Sequence, residues 1–438
     1  MARGKKKEST LTPEEKLAQA LVPEGEQPYK VPENWCWTTL GTINQYVGGS
    51  VDPLKEPDSW FELYSVPSSA DDYPEIVQGS AIGSTKQEVQ KDDVLLCKIN
   101  PRINRVWHVR QYTENKLLGS SEWIVVRNCQ INSQYLMWCF RSRYFREYML
   151  SNVSGVGGSL MRAQPKFVQG YPIPIAPLAE QERIVDRIEY LFAKLDEAKE
   201  KAQSVLDGFE TRKAAILHKA FTGELTAKWR AEHGMKSEQW EQKPLSKVTY
   251  NHDSRRIPLS QAERSNLERI YDYYGASGVI DKVDRFLFEG RHLLIGEDGA
   301  NLVTRSKPIA FIADGQYWVN NHAHVLSTTS DMILDFLCYY INSIDLVPYV
   351  TGSAQPKMTQ AKMNGIPIPV PLVPEQTEIV RILDSLFAKE QQAKEAAEAV
   401  LEKIDLLKKS ILARAFRGEL GTNDPTEESA LELLKNNI

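Results

Sequence analysis

The sequence predicts an α+β protein in which two modules are separated by a long antiparallel coiled coil of two helices, related by a pseudo-twofold internal repeat. Three observations lead to this fold class. A segment recurs at a constant offset of 195 residues, both copies have helical periodicity, and the stretches before them contain short β-like runs. Internal repetition of this kind indicates a structural unit used twice.

The repeat comprises residues 172–225 and 367–420, which align without gaps and share 25 identities in 54 positions. Both copies open on Pro-Ile-Pro, continue with Glu-Gln and close on Gly-Glu-Leu. Each copy ends one half of the chain. The predicted segments are an N-terminal extension with a short helix (1–28), module 1 (29–177), a first helical region (178–233), module 2 (234–372), a second helical region (373–422) and an acidic C-terminal tail (423–438).

In the N-terminal extension, the capping-box pattern that starts at Thr12 predicts a short helix to about Leu21.

Each constant segment predicts one helix of about 44 residues, roughly 66 Å long. Proline precedes each segment and glycine follows it, which are the usual start and stop signals. The apolar residues recur at alternating spacings of four and three, which is the heptad pattern of a coiled coil. The predicted seam is Ile184, Ile188, Leu191, Leu195, Val205 and Phe209 in the first helix, and Ile379, Leu383, Leu386, Val400, Ile404 and Ile411 in the second.

One polar residue interrupts each seam, Arg212 in the first helix and Glu390 in the second. We expect these side chains to reach solvent rather than to form a buried ion pair. The helices are expected to pair with each other, although pairing with another chain remains an alternative. Antiparallel pairing would place the modules at opposite ends of the coil, which suits a long partner such as duplex DNA with its repeat of ~34 Å.

Both modules contain strand-like runs, including 94–99 and 123–127 in module 1 and 293–295 and 317–319 in module 2. Helical patterns follow at 135–149 and 333–341. Matching Leu95-Leu96 with Leu293-Leu294 aligns two polar loops that follow a strand. Arginine or lysine can read guanine, asparagine adenine, and a carboxylate the cytosine amino group. An ordinary solvated loop is the alternative.

The net charge of -5 argues against a broadly basic nucleic-acid binder. However, residues 29–177 contain 15 basic and 14 acidic side chains, residues 234–372 contain 14 and 15, and residues 421–438 alone carry -3. Arginine and lysine are also clustered within the modules, as phosphate contacts require. No apolar run approaches the length of a membrane span and no leader pattern is present, so we expect a cytoplasmic protein without membrane partners.

No catalytic or metal-binding motif is convincing. His322 and His324 have strand spacing, but no third ligand is evident. Asn100-Pro101-Arg102-Ile103 only begins like the Asn-Pro-Pro-aromatic motif of adenine methyltransferases. The five cysteines are scattered, so reduced and mostly buried thiols are expected. We expect no catalytic residue, no metal and no cofactor in this chain.

Taken together, the chain resembles the specificity subunit of a type I restriction-modification system over about residues 29–421. The opening of module 2, around Trp240, departs most from the family pattern. The motifs that carry the resemblance are Val31-Pro32-Glu33-Asn34-Trp35, the Pro172–Gln181 and Ala220–Arg230 segments, Ala415–Leu420, Tyr273–Gly278 and Trp318–His324.

The resemblance implies that each module is a target-recognition domain reading one half of a bipartite, asymmetric sequence in double-stranded DNA. It also implies two methyltransferase subunits, which bind S-adenosylmethionine and methylate adenine N6 after base flipping, and restriction/motor subunits. A coiled-coil scaffold without a DNA role and a fused methyltransferase or nuclease are the alternatives.

The predicted DNA contacts are polar residues in and near the two loops. They are Lys98, Asn100, Arg102, Arg105, Arg110 and Lys166 in module 1, and Asp298, Asn301, Arg305, Lys307 and Lys357 in module 2.

Overall fold

The computed structural model describes residues 12–154, 161–235, 240–352 and 355–436. It forms two compact units. Unit 1 comprises Met1–Lys201 and Val400–Ile438, and unit 2 comprises Ala202–Ala399. Each unit therefore combines one module with part of both long helices, whereas the sequence-based segments treat each helical region as a separate block.

The helices are α1 (Pro13–Ala20), α2 (Leu40–Ile43), α3 (Ser133–Arg141), α4 (Arg143–Ser151), α5 (Pro165–Val168), α6 (Leu178–Asp207), α7 (Phe209–Phe221), α8 (Ala227–Glu232), α9 (Leu245–Val248), α10 (Gln261–Arg264), α11 (Asn301–Thr304), α12 (Leu334–Ser343), α13 (Gln360–Asn364), α14 (Val373–Ala415) and α15 (Ala430–Lys435). The strands of module 1 are β1 (Cys36–Thr39), β2 (Ser50–Val51), β3 (Trp60–Tyr64), β4 (Glu75–Gln78), β5 (Lys86–Glu88), β6 (Val94–Cys97), β7 (Val106–His108), β8 (Lys116–Gly119), β9 (Trp123–Val126), β10 (Val153–Ser154), β11 (Arg162–Ala163) and β12 (Pro172–Ile175). Those of module 2 are β13 (Glu241–Pro244), β14 (Thr249–Asn251), β15 (Tyr271–Gly275), β16 (Gly278–Val283), β17 (Phe288–Glu289), β18 (His292–Gly296), β19 (Ala310–Ala313), β20 (Gln316–Val319), β21 (Ala323–Thr328) and β22 (Pro367–Val370).

The second long helix, α14, has 43 residues, close to the predicted length. The first is divided into α6 and α7 at Gly208, so the prediction of one uninterrupted helix there was wrong. Backbone bonds of the helical kind still bracket the break, from Gly208 to Ser204 and from Arg212 to Gly208. The Arg212 side chain also donates to the Val205 carbonyl, which stabilises this local distortion.

The long helices contact each other within each unit, and the series of contacts in unit 2 is antiparallel. In unit 2, Lys213 lies over the Phe387 ring, Arg212 binds Glu390 at 2.9 Å, and Lys394 lies over the Phe209 ring. Residue numbers rise along one helix as they fall along the other. In unit 1, Lys408 binds Asp196 at 2.6 Å.

Arg212 and Glu390 form an ion pair, the alternative that we considered less favourable than two solvent-reaching side chains, but the pair is only partly buried. The Arg212 side chain is 39% exposed and that of Glu390 is 21% exposed, so the pair lies at the edge of the seam.

The predicted seam is buried most strongly where the helices meet the modules. Val400 is 40% exposed, and its assignment to the seam was wrong. Five of the predicted seam residues are buried, namely Ile184, Ile188, Ile379, Leu383 and Ile404. Partial burial is found for Leu191, Leu195, Val205, Phe209, Leu386 and Ile411.

The two modules share a common set of strand pairings despite their divergent sequences, with β2 added at the edge of one sheet in module 1 and β14 added in module 2. Module 1 has sheets β7-β6-β9 and β2-β5-β8-β3-β4, and module 2 has sheets β14-β21-β18-β19 and β16-β15-β20-β17. In both, the central strand (β6 or β18) is antiparallel to both of its neighbours. A parallel pair, β3 with β8 or β15 with β20, recurs in the other sheet. The helical pattern at 135–149 is two helices, α3 and α4, because Ser142 ends the first and caps the second.

Strand register shows that the sequence match between the modules was one residue off. Leu95 pairs with Val125, and Leu294 pairs with Val325. Leu95 therefore corresponds to Leu294 rather than to Leu293. A one-residue slip in a strand exchanges the two faces of the sheet, so the original match assigned each leucine to the wrong face.

A buried glutamate explains why Glu-Gln is repeated. Glu180 accepts a hydrogen bond from the Trp35 indole at 2.7 Å and another from Thr422 at 3.2 Å. In unit 2, Glu375 accepts from Trp240 at 3.2 Å and from Thr226 at 2.7 Å. Trp240 is thus the counterpart of Trp35, although the sequence around it departs from the family motif.

The neighbouring glutamines are also equivalent. Gln181 donates to the Ala176 carbonyl, and Gln376 donates to the Pro371 carbonyl, both at 2.8 Å. Each side-chain oxygen accepts a backbone N–H at the start of the module's helix, from Asn132 or Ile333. The repeated dipeptide therefore attaches the long helix to its module.

The C-terminal segment is not merely an acidic tail, because it packs into the core of unit 1. Ala430 and Leu434 of α15 are buried in the same cluster as module 1 residues. Asn423 donates to Glu180 at 2.8 Å, and Arg183 binds Glu427 at 2.7 Å. The capping box at Thr12 and the helix after it are confirmed, ending at Ala20; residues 1–11 lie outside the described part.

The cysteine side chains are free, with Cys36, Cys97 and Cys139 buried, Cys338 partly buried and Cys129 exposed. Among the helices of the described residues, none combines the length and the apolar character needed to cross a membrane.

Candidate nucleic-acid interface

The first candidate site is the connection between β6 and β7, which we call turn 1 (residues 98–105). A short 3-10 helix, Pro101–Ile103, forms its tip, and Asn100 and Asn104 on either side have left-handed backbones. The frame of the turn is held by backbone bonds from Lys98 to Glu122 and from Asn100 to Met161, at 2.9 and 2.8 Å. Turn 1 is therefore a fixed projection.

Turn 1 brings four of the predicted contacts together: Lys98, Asn100, Arg102 and Arg105. Within the described residues, the Arg102 guanidinium and the Lys98 ammonium have no ion-pair or hydrogen-bond partner, and Arg102 is exposed. The Arg102 carbonyl accepts a hydrogen bond from Arg146. Asn100 has a side-chain oxygen that is buried and unpartnered.

Lys166 and Arg110 lie elsewhere. Residues 162–163 run beside turn 1, and Lys166 follows on α5 with its ammonium 4.7 Å from the Phe167 ring centroid. Arg110 lies beyond the far end of β7, where His108 pairs with Val94. The structure therefore does not bring Arg110 to turn 1.

The second candidate site, turn 2 (residues 297–308), connects β18 and β19 and contains the one-turn helix α11. It has the same frame as turn 1. Glu297 N–H donates to the His322 carbonyl at 2.8 Å, and Gly299 N–H donates to the Pro356 carbonyl at 3.0 Å. These bonds match those of Lys98 and Asn100, so the two turns are equivalent in position although turn 2 is longer.

In turn 2 several predicted contacts are engaged within the chain. Asn301 accepts from Lys307 N–H at 2.9 Å and donates to the Lys307 carbonyl at 3.2 Å. The Arg305 guanidinium donates to the carbonyls of Asn342, at 3.1 Å, and Ile344. Within the described residues the Lys307 ammonium has no partner, and it is exposed.

Asp298 and Lys357 are brought together by an antiparallel bridge between their backbones. The Asp298 carboxylate lies 2.8 Å from His322 Nδ1, and Lys357 lies 3.1 Å from Glu297. Both predicted side chains are thus partly engaged but retain exposed surface.

Behind turn 2 lies an ionic network that sequence reasoning missed. Arg256 binds Glu297 at 2.8 Å, and the buried His324 binds Asp253 at 2.6 Å. Burial alone would raise the pKa of Asp253, but hydrogen bonds from His324 and the Val325 N–H outweigh it and lower that pKa. The same balance lowers the pKa of Glu297, where Arg256 is the main hydrogen-bonding partner.

His322 and His324 thus each face a carboxylate. Among the described residues, no group of histidine, cysteine and carboxylate side chains has an arrangement that could hold a metal ion.

Sequence reasoning also missed one exposed aliphatic side chain in each turn. Ile103 and Val303 are each 53% exposed. Their neighbours along the chain are polar, and no motif distinguishes such a residue from an ordinary surface residue. Structural equivalence of the turns is the signal that identifies them.

Comparison with known proteins gives a consistent result. A family model described as the type I restriction modification DNA specificity domain matches residues 237–403. The chain is 38% identical over 149 residues to S.HindORF215P, a candidate type I restriction enzyme specificity subunit of Haemophilus influenzae, covering 34% of this chain and 37% of that protein. It is 24% identical to the EcoDI specificity subunit of Escherichia coli over 89% of this chain and 90% of the relative, and 22% identical with the same coverages to the StySPI specificity subunit of Salmonella potsdam.

Solved structures agree with the fold. The HsdS subunit from Thermoanaerobacter tengcongensis aligns with a TM-score of 0.68 and 20% identity, over 90% of this chain and 99% of that one. A chain from work on complex assembly and conformational transition of the type I R-M system aligns with a TM-score of 0.63 and 19% identity, over 90% and 100%. With the repeated helix motifs and the strand pairings that the two modules share, these matches make the chain similar along 89–90% of its length to type I restriction-modification specificity subunits.

Proposed function

We propose that turn 1 and turn 2 each read one half of a bipartite, asymmetric target in double-stranded DNA. The observation that carries this proposal is the equivalence of the turns: two divergent sequences build the same hydrogen-bonded frame after the same central strand. Each frame projects a cation, Arg102 or Lys307, that has no ion-pair partner among the residues that the structure describes. A fixed turn with exposed cations suits contacts to base edges and phosphates.

The chemistry of the turns indicates what each residue would contact. Arg102 can bind guanine through two hydrogen bonds, and the Asp298 carboxylate can accept from the cytosine amino group. Ile103 and Val303 offer apolar contact to a thymine methyl group. Lys98, Arg105, Lys166, Lys307 and Lys357 suit phosphates, which carry no sequence information themselves but fix the register.

In this proposal the chain is a non-catalytic recognition subunit in the cytoplasm. Two methyltransferase subunits supply S-adenosylmethionine and methylate adenine N6 in each half-site, and restriction/motor subunits complete the complex. Support comes from the family and from the structural match to a chain studied for complex assembly of the type I R-M system. The chain's part is to select the site and to place its partners on it.

The test begins by sequencing the methylome of a host that expresses the chain with its cognate methyltransferase, which should yield a bipartite adenine-methylation motif. Binding of that complex to the motif is then measured for Arg102→Ala and Lys307→Ala. Arg102→Ala should lose ~1–3 kcal/mol of affinity and relax base preference in one half-site only. Lys307→Ala should weaken binding uniformly across sequences.

Arg143→Ala serves as the matched control, because Arg143 is 78% exposed and pairs with Glu147 on α4. If Arg102→Ala and Lys307→Ala both bind the motif as the control does, the turns do not read DNA.

A further inference from the structure

The two turns share a feature beyond their frames. Near its end each contains one residue other than glycine with a left-handed backbone, Asn104 with φ of 53° and Arg305 with φ of 51°. This conformation is unfavourable for residues with a side chain, less so for asparagine than for arginine. Because this conformation occurs in both turns, we infer that further contacts hold the backbone of Asn104 and Arg305 in it.

Their side chains supply that restraint, because both donate to the C-terminal end of a helix. Asn104 Nδ2 lies 3.3 Å from the Phe140 carbonyl and 3.4 Å from the Arg141 carbonyl, at the end of α3. The Arg305 guanidinium donates to the carbonyls of Asn342 and Ile344, at the end of α12. Carbonyls at the end of a helix lack donors within the helix, so they are ready acceptors.

The two helices occupy equivalent places. Each begins where a glutamine of the repeated Glu-Gln pair accepts a backbone N–H, and each also binds the strand that follows its turn. Arg141 of α3 donates to the Val106 carbonyl at 2.9 Å. In α12, the Asn342 side-chain oxygen accepts from Ile309 N–H at 2.9 Å. Turn and helix end are therefore joined at Asn104 and Arg305 and again near the start of the next strand.

We propose that Asn104 and Arg305 are positioning residues that fix the two DNA-reading turns on α3 and α12, and that Arg305 does not itself read a base. This inference rests on the proposed function of the turns. An asparagine and an arginine perform the same task, which is why alignment by residue type does not relate them. A guanidinium that already donates to two carbonyls is oriented by the end of α12, and fewer of its five N–H donors remain for a base.

Glycine variants separate the effect of the side chain from that of backbone strain, since glycine adopts the left-handed conformation without strain. Asn104→Gly and Arg305→Gly are compared in the complex with the cognate methyltransferase, on the bipartite motif and on motifs with either half scrambled. Arg305→Lys keeps the charge but replaces the planar guanidinium by a single donor nitrogen. The readouts are affinity, base preference from a library randomised in each half-site, and the dependence of affinity on salt.

We expect each glycine variant to lose about tenfold or more in affinity through its own half-site only, because the turn samples other positions. Base preference and the slope against salt should stay as in the unsubstituted chain. Arg305→Lys should recover most of the affinity. The half-site read by the other module is an internal control for folding and assembly.

Three results would overturn the proposal. Relaxed preference at one base pair in Arg305→Gly would make Arg305 a base reader, and a salt slope lower by about one would make it a phosphate contact. Unchanged affinity in both glycine variants, with Arg102→Ala impaired, would show that the turns need no such restraint.

Failure of Arg102→Ala and Lys307→Ala to affect binding would instead refute the proposed function. If Arg305→Gly does not fold, Arg305→Lys still decides, because relaxed base preference in that variant also overturns the proposal.

Discussion

Replacing Glu375 by alanine should destabilise unit 2 by about 3–5 kcal/mol, the cost of removing one partner of a buried ion pair. Glu375 is 4% exposed and accepts hydrogen bonds from Thr226 and Trp240 as well as from the Arg230 guanidinium. The Arg230 side chain is itself only 13% exposed. Without the carboxylate, a buried cation and two neutral donors lose their acceptor at once.

Urea unfolding followed by the fluorescence of tryptophan, with hydrogen exchange over residues 222–235 as a local probe, measures this effect. The equivalent Glu180→Ala should cost less, about 1–3 kcal/mol, because its direct donors are the neutral groups of Trp35, Thr422 and Asn423. Glu395→Ala, on the exposed surface of α14, is the control and should change stability by less than about 0.5 kcal/mol. If Glu375→Ala costs no more than this control, the reasoning about the buried glutamate is refuted.

Gly418→Ala should destabilise the protein more than Gly223→Ala. Both glycines have left-handed backbones, but a Cβ at Gly418 would overlap the Pro32 ring, whereas the nearest neighbour of a Cβ at Gly223 would be 3.2 Å away. Equal shifts of the thermal unfolding midpoint in the two variants would contradict this prediction. Deleting residues 422–438 should lower the stability of unit 1 and leave hydrogen exchange in unit 2 unchanged, because Ala430 and Leu434 are buried in the core of unit 1; unchanged exchange in unit 1 would refute it. Because the pKa of Asp253 is lowered, its contribution to stability is complete above the ordinary pKa of the group and is lost as the pH falls through the lowered pKa. Asp253→Asn should therefore flatten the loss of unit 2 stability in acid, measured as the free energy of unfolding at neutral pH and below pH 4. An unchanged dependence of stability on pH would count against this prediction.

Much of the fold could be predicted because its signals are periodic or repeated. The heptad spacing identified both long helices, and the repeat at an offset of 195 identified the two halves. The break at Gly208 was not predictable from spacing, since the apolar pattern continues across it. The break falls at the weak helix former Gly208, and the Arg212 side chain donates to the Val205 carbonyl across it.

The register between the modules shows why the site was harder. Leu95 and Leu96 resemble Leu293 and Leu294, and only strand pairing reveals that Leu95 corresponds to Leu294. A match between identical leucines cannot detect a slip of one residue, because both faces of these central strands are buried. The turns were located correctly, but equivalences within them were not.

Residue type alone also could not separate cations that face outward from cations that hold the fold. Arg102 and Arg305 looked equally suited to read guanine. In the structure the guanidinium of Arg102 is unpaired within the described residues, whereas that of Arg305 caps a helix. Arg305 is held by the carbonyls of Asn342 and Ile344, which lie about 40 residues further along the chain, so residue type alone could not reveal them.

The distinction between exposed cations and cations engaged within the fold also affects how the number of basic residues in the modules is interpreted. The modules are close to neutral, and part of their positive charge is already engaged. Arg127 binds Asp93 at 2.7 Å, Arg162 binds Glu122 at 3.0 Å, and Arg256 binds Glu297 at 2.8 Å. The positive charge free for phosphates is therefore smaller than the number of basic residues. Because each neutralised phosphate strengthens binding through counterion release, this subunit alone should bind DNA weakly, and partner subunits should supply much of the non-specific affinity. The turns then contribute mainly to the choice of sequence.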